Sequence, residues 1–184
     1  THTALTKQEA IDLLASINQK THLGKRDYAL ISLLLRTGIR RSECASLNIG
    51  DLHMMQDHHV AVIRHGKGDK RRNAKIPVDV FRSIQAYIKD TERENASPDD
   101  PLFVGFDRWD RPTDKRVAPQ LIERTVKAYG AKIGVHTLTP HGLRATFITL
   151  ALEGGASLMQ VQYAAGHDDP RTTERYQKRK LNLD

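Results

Sequence analysis

One cysteine in 184 residues leaves no partner for a disulfide within the chain. Cys44 lies in the helical-looking stretch SECASL, so it reads as a small core residue rather than a nucleophile, and a reducing compartment suits it. Aromatic residues make up only 5% of the chain, so any core must be mainly aliphatic. No apolar run approaches the roughly 18 residues needed to cross a membrane, and no basic-then-apolar leader opens the chain. Nine histidines are present, but His53, His58 and His59 lack the spacing of a structural zinc site, and no His-Glu-x-x-His occurs. A Walker loop and a dinucleotide glycine motif are missing too, so no metal or nucleotide cofactor is expected. The chain opens on Thr1 and not Met, and the expectation is a piece cut from something longer. A cytoplasmic, nucleoid-associated setting fits these absences.

Positive charge is what the chain has in excess. Lys and Arg number 29 against 22 Asp and Glu, for a net charge of +7 and a pI near 9.6. A polyanion is the large partner that such a balance favours. With 39% hydrophobic residues, the length suffices for one domain over 1–184 with a real core.

Periodicity outlines the elements. LTKQEAIDLLASI opens with Thr6-x-x-Glu9, a capping box, and RDYALISLLLRTG is a more apolar helix ended by Gly38. RSECASL begins another helix at once, which leaves Arg40 in the tight junction between two helices. HVAVIR (59–64) and NAKIPV (73–78) read as strands of a hairpin whose tip, HGKGDKRR, is basic and carries two glycines. VFRSIQAYIKDTER is helical, LFVGF a short strand, and 107–117 a charged loop. Helices follow in PQLIERTVKAYGAKIG, PHGLRATFITLALEGG, SLMQVQYAAG and PRTTERYQKRK, with Pro140 and Pro170 in first turns. The fold class is mostly α (α+β) with a small antiparallel sheet.

Several side chains fall where they could handle a phosphate. Glu43, one turn beyond Arg40, could orient a guanidinium, or form a surface pair worth about 0–1 kcal/mol. Spacing alone does not choose between Arg40 and Arg41. Lys67 sits between glycines at the hairpin tip, either a solvated turn or a group that enters a ligand site. Lys70, Arg71 and Arg72 read as contacts to a phosphate backbone. His141 and Arg144 share a face at the start of a helix, where unpaired amides also favour anions. Tyr28, Tyr87, Tyr129 and Tyr163 read as core or boundary residues among apolar neighbours. Tyr176 differs, since Arg171, Arg175, Lys178, Arg179 and Lys180 surround it and favour its phenolate. It is either part of a DNA-facing basic surface or a nucleophile.

The order of these pieces carries more than any one of them. TGIRRSE, then GKG in a hairpin, HGLR, AGH and a tyrosine nine residues past the histidine resemble the tyrosine recombinase (phage integrase) family, over nearly the whole chain as its C-terminal catalytic domain. The resemblance implies the helical catalytic core of DNA breaking-rejoining enzymes. It makes Arg40, Lys67, His141, Arg144, His167 and Tyr176 catalytic, with Glu43 in support and Arg40 preferred to Arg41. Arg41, Lys70, Arg71, Arg72, Arg171 and Arg175 would contact double-stranded DNA. The implied activity is site-specific recombination without metal or ATP, through a 3′-phosphotyrosyl intermediate and a four-way junction. A homo-tetramer on DNA is implied for a full-length protein with an N-terminal DNA-binding domain, and a monomer for this part alone. Three positions depart from the pattern: Arg41 replaces a small aliphatic residue, Ala145 a frequent histidine, and Ala165 a common leucine. Relaxation of supercoils in the manner of a type IB topoisomerase, and a non-catalytic DNA-binding regulator, are the alternatives.

Overall fold

The structure is a computed structural model that describes residues 4–64 and 70–166. Helix α1 (Lys7–Ala15) starts at the expected capping box: Thr6 Oγ1 accepts from the Glu9 N–H at 3.1 Å, and Glu9 accepts from the Thr6 N–H at 3.0 Å. In α2 (His22–Thr37) the middle is apolar on every side, and Leu30, Ile31, Leu33 and Leu34 are all buried. A helix of that kind belongs in the centre of a core. Two helices pack on it, α4 (Val78–Asp90) and α6 (Pro140–Glu153), while the short α3 (Arg41–Ser46) lies against α5 (Pro119–Lys132). The last described helix, α7 (Leu158–Ala165), packs on α6 through a separate small cluster of Ile148, Leu152, Val161 and Ala165. No helix among the described residues is long and apolar enough to cross a membrane.

The expected hairpin is present as β2 (His58–Ile63) and β3 (Arg72–Ile76), antiparallel from His59↔Ile76 to Ile63↔Arg72. A strand the sequence reading lacked, β1 (Leu52–Met55), extends it into a three-stranded sheet of order β1-β2-β3. The turn joining β1 to β2 has positive φ at both Gln56 (49°) and Asp57 (65°), the backbone of a tight hairpin turn built without glycine. That composition is why no turn signal marked it.

The charged loop expected over 107–117 needs correction. Residues Pro112–Arg116 form β5, which pairs antiparallel with β4 (Val104–Phe106). Its side chains lie mainly in solvent, so it shows no apolar alternation, and charge along an exposed edge strand also discourages pairing with other chains. Tyr163 needs correction as well, for it is 69% exposed. Val161 and Ala165 face α6, and Tyr163 stands roughly 200° around the helix from each. Cys44 and Tyr87 are fully buried, as their neighbours suggested. Burial pushes the Cys44 thiol far up, and the charge of Glu43 adds to this, so the sulfur stays protonated.

Candidate active site

The site is built where α2 ends. Gly38 takes the left-handed conformation (φ 70°) that closes the helix, and its N–H donates to Leu34 O at 3.0 Å. A side chain is excluded there, since a Cβ would lie 2.3 Å from Phe147 Cδ2 on α6. After buried Ile39, Arg40 caps α3 in extended backbone, and its N–H donates to Glu43 Oε1 at 2.8 Å. Three residues, Gly38, Ile39 and Arg40, thus carry the chain from one helix into the next, and the backbone of Arg40 is pinned on both sides.

Glu43 is the anion at the bottom of this junction, with its side chain only 3% exposed. Arg72 grips it with both ends of its guanidinium, Nη1 to Oε2 at 2.6 Å and Nη2 to Oε1 at 2.9 Å. The Arg40 guanidinium approaches the same carboxylate at 3.5 Å. Burial raises the pKa of Glu43, but the hydrogen bonds from Arg72 and from the Arg40 backbone, with the charges of both arginines, outweigh it and hold the carboxyl below its ordinary value. Glu43 therefore does not form the surface pair that was one reading of it.

Arg144, 3% exposed on the first turns of α6, donates from Nη1 to Gly38 O and from Nη2 to Ala165 O. It fastens the end of α2 to the end of α7. Thr139 caps α6 by accepting from the Gly142 N–H at 3.0 Å, Pro140 fills the first turn, and His141 is exposed beside it. These elements enclose a cleft of about 410 Å³ lined by Arg40, Arg41, Glu123, Thr139, His141 and Arg144, among others. The one carboxylate on that wall among the described residues, Glu123, is already engaged by Arg41 and by Lys127. Arg40 Nη1 is buried with no hydrogen-bond partner among the described residues. A cationic cleft with an unused donor and the start of a helix on its rim suits an anion such as a phosphodiester.

Of the residues singled out in the sequence, Arg40, Arg41, His141 and Arg144 come together here, with Glu43 beneath. Lys70 and Arg71 are exposed at the start of the β3 side of the hairpin. Arg72 departs from its expected place on a DNA backbone, because its guanidinium is 9% exposed and closed on Glu43. In a Lys-Arg-Arg run, only the register of the strand decides which side chain turns inward. Lys67, His167, Arg171, Arg175 and Tyr176 lie outside the described residues. Glu123 and Thr139 were not foreseen, and nothing local in the sequence marks them as lining the cleft.

A mostly helical domain with a small sheet, carrying a buried arginine–glutamate cluster under a cationic cleft, is the class this fold and site define. The chain belongs to the phage integrase family, whose model matches residues 3–182. Among curated relatives, tyrosine recombinase XerD of Oceanobacillus iheyensis is 34% identical over 176 residues, covering 94% of this chain and 56% of the relative. Tyrosine recombinase XerC of Corynebacterium efficiens is 37% identical over 153 residues, 83% of this chain and 46% of the relative. The chain thus spans about half the length of these relatives. A crystal structure of XerA recombinase superposes with a TM-score of 0.77 at 28% identity, covering 96% of this chain and 59% of that one. The fold is shared as well with XerH site-specific recombinase bound to palindromic difH substrate in a post-cleavage complex, with a TM-score of 0.82 and 24% identity over 98% of this chain and 51% of that one.

Proposed function

We propose that this chain is the catalytic domain of a site-specific DNA recombinase that cuts and rejoins strands through a covalent phosphotyrosine. The observation that carries the reading is the convergence of Arg40 and Arg144, 104 positions apart in the sequence, on one cationic cleft whose buried donor Arg40 Nη1, 3.5 Å from Glu43, has no hydrogen-bond partner among the described residues. Membership of the phage integrase family supports it.

In this mechanism the scissile phosphate enters the cleft, and Arg40 and Arg144 hold its non-bridging oxygens. Charge on those oxygens grows in the pentavalent transition state, so donors fixed in advance stabilise it more than the ground state. The Tyr176 oxygen attacks phosphorus and His141 takes the phenolic proton. The bond from phosphorus to the 5′-oxygen breaks, and Lys67 protonates that oxygen. A 3′-phosphotyrosine and a free 5′-hydroxyl result, and His167 adds a further donor to the phosphate. The bond energy stays in the adduct, so a 5′-hydroxyl from a second duplex reverses the step without ATP. Two rounds of exchange pass through a four-way junction, in a homo-tetramer assembled on double-stranded DNA.

The test uses fragmented, nicked duplex DNA, from which the short cleaved strand diffuses away. After incubation and denaturation, a covalent adduct is expected, joined to Tyr176 through a 3′-phosphate, and Tyr176→Phe is expected to bind DNA and form none. An adduct of unchanged yield in Tyr176→Phe would remove that residue as the nucleophile. Sequencing the trapped strands identifies the target.

A further inference from the structure

Arg72 is a largely enclosed cation beside the cleft, its side chain 9% exposed, yet the reaction just described gives it nothing to do. Its backbone opens β3, five residues after Lys67 in the sequence. Its guanidinium spans both oxygens of Glu43, the carboxylate that also accepts from the Arg40 N–H. Its third contact is with the end of α7. Gly166 stands at φ 68°, and a Cβ there would lie 2.7 Å from Arg72 Cζ and 2.9 Å from Nη1. Glycine at 166 thus lets the guanidinium pack flat against the residue that precedes His167. Arg72 Nε is buried with no hydrogen-bond partner among the described residues.

We propose, on the basis of the recombinase reading, that Arg72 is a positioning residue: it fastens the start of β3, the Glu43 carboxylate that fixes Arg40, and the Gly166 turn into one rigid arrangement. Each of those segments comes from a different part of the chain, and each carries or adjoins a group assigned to the reaction. Arg72 is the side chain that touches both of the other segments. The planar fork matters more than the charge, because two donors must meet two oxygens while the flat face meets Gly166. Glu43 is faced by Arg40 and Arg72, and the Asp51–Arg64 pair lines the small crevice on its other side. Of these side chains, only Arg72 hydrogen-bonds both of its oxygens.

The test compares Arg72→Met, Arg72→Lys and the double variant Glu43→Gln/Arg72→Met by the rate of adduct formation on the captured nicked duplex. At saturating DNA the rate in Arg72→Met falls about 100-fold, the scale expected when reacting groups are misplaced by about 1 Å, while half-saturation moves less than about 3-fold. Arg72→Lys recovers part of that rate. The double variant removes the buried charge along with its partner, so it melts close to the unaltered chain and still reacts slowly. A backbone contact gives the opposite pattern: weaker binding, a salt slope reduced by about 1, and an unchanged rate at saturation. That pattern, or a full rate in the double variant, overturns the proposal. If the unaltered chain forms no adduct, the recombinase reading fails instead, and the 13C titration of the Glu43 carboxyl still reads the clamp. Its midpoint should lie below 4.5 in the unaltered chain and move upward in Arg72→Met; an unmoved midpoint overturns the clamp.

Discussion

The two ends of α2 each hold a buried arginine–carboxylate pair, and they are finished differently. At the start of the helix, Arg26 donates from Nε and Nη2 to Asp27 Oδ1 at 3.0 and 2.8 Å and from Nη1 to Val104 O at 3.1 Å. Asp27 Oδ2 accepts from the Tyr129 hydroxyl at 2.8 Å. Burial and the Asp27 charge push the Tyr129 phenol far up, so it keeps the proton it donates. This network is closed, and it ties α2 to β4 and α5. At the other end, Glu43 is saturated by Arg72 and the Arg40 backbone, yet Arg40 Nη1 and Arg72 Nε are buried donors with no hydrogen-bond partner among the described residues. A buried donor left over is costly, about 1–3 kcal/mol, and a bound anion is one way of offsetting that cost. One end of the helix secures the fold; on the recombinase reading, the other receives an anion.

Variants at the two ends should therefore fail in different ways. The largest effect is expected from Asp27→Ala, which strands Arg26 in the core: urea unfolding should lose about 3–5 kcal/mol, the usual result of breaking a buried pair from one side. Folded molecules of that variant should still form the DNA adduct. Arg40→Ala should do the reverse, lowering the adduct rate about 100- to 1,000-fold as removal of a transition-state donor does, with little change in melting temperature. If Arg40→Ala unfolds the chain, or Asp27→Ala silences folded molecules, the contrast between the ends is lost. The smallest effect concerns acid. Because the pKa of folded Glu43 lies below its ordinary 4.5, its contribution to stability is complete above that pH and is lost as pH falls through the folded value. Urea midpoints of the unaltered chain should fall more steeply below about pH 4.5 than those of Glu43→Gln.

Much of this arrangement could be read along the chain, because short-range rules built it. The capping box at Thr6 and Glu9, the helix stop at Gly38, Pro140 in the first turn of α6 and the apolar middle of α2 all act within a few residues. The placing of Arg40 between two helices followed from Gly38 and from the helix that starts at Arg41. What stayed hidden depends on partners far away in sequence. Arg72 turns inward because Glu43, 29 positions earlier, waits under the sheet; in the KRR run it is chemically indistinguishable from exposed Arg71. The β5 strand is stabilised by pairing with β4 and has no pattern of its own. Tyr163 shares an apolar helix with Val161 and Ala165, and only the position of α6 decides which face of α7 is covered.

The arginine donors at the end of α2 can be tested most directly by a structure of the chain with a nicked duplex and orthovanadate, a pentavalent mimic of phosphate under attack. Vanadium linked to Tyr176, with its equatorial oxygens about 3 Å from Arg40 Nη1 and the Arg144 guanidinium, is the expected result. A duplex seated elsewhere, with Arg40 Nη1 touching neither vanadate nor phosphate, would contradict it.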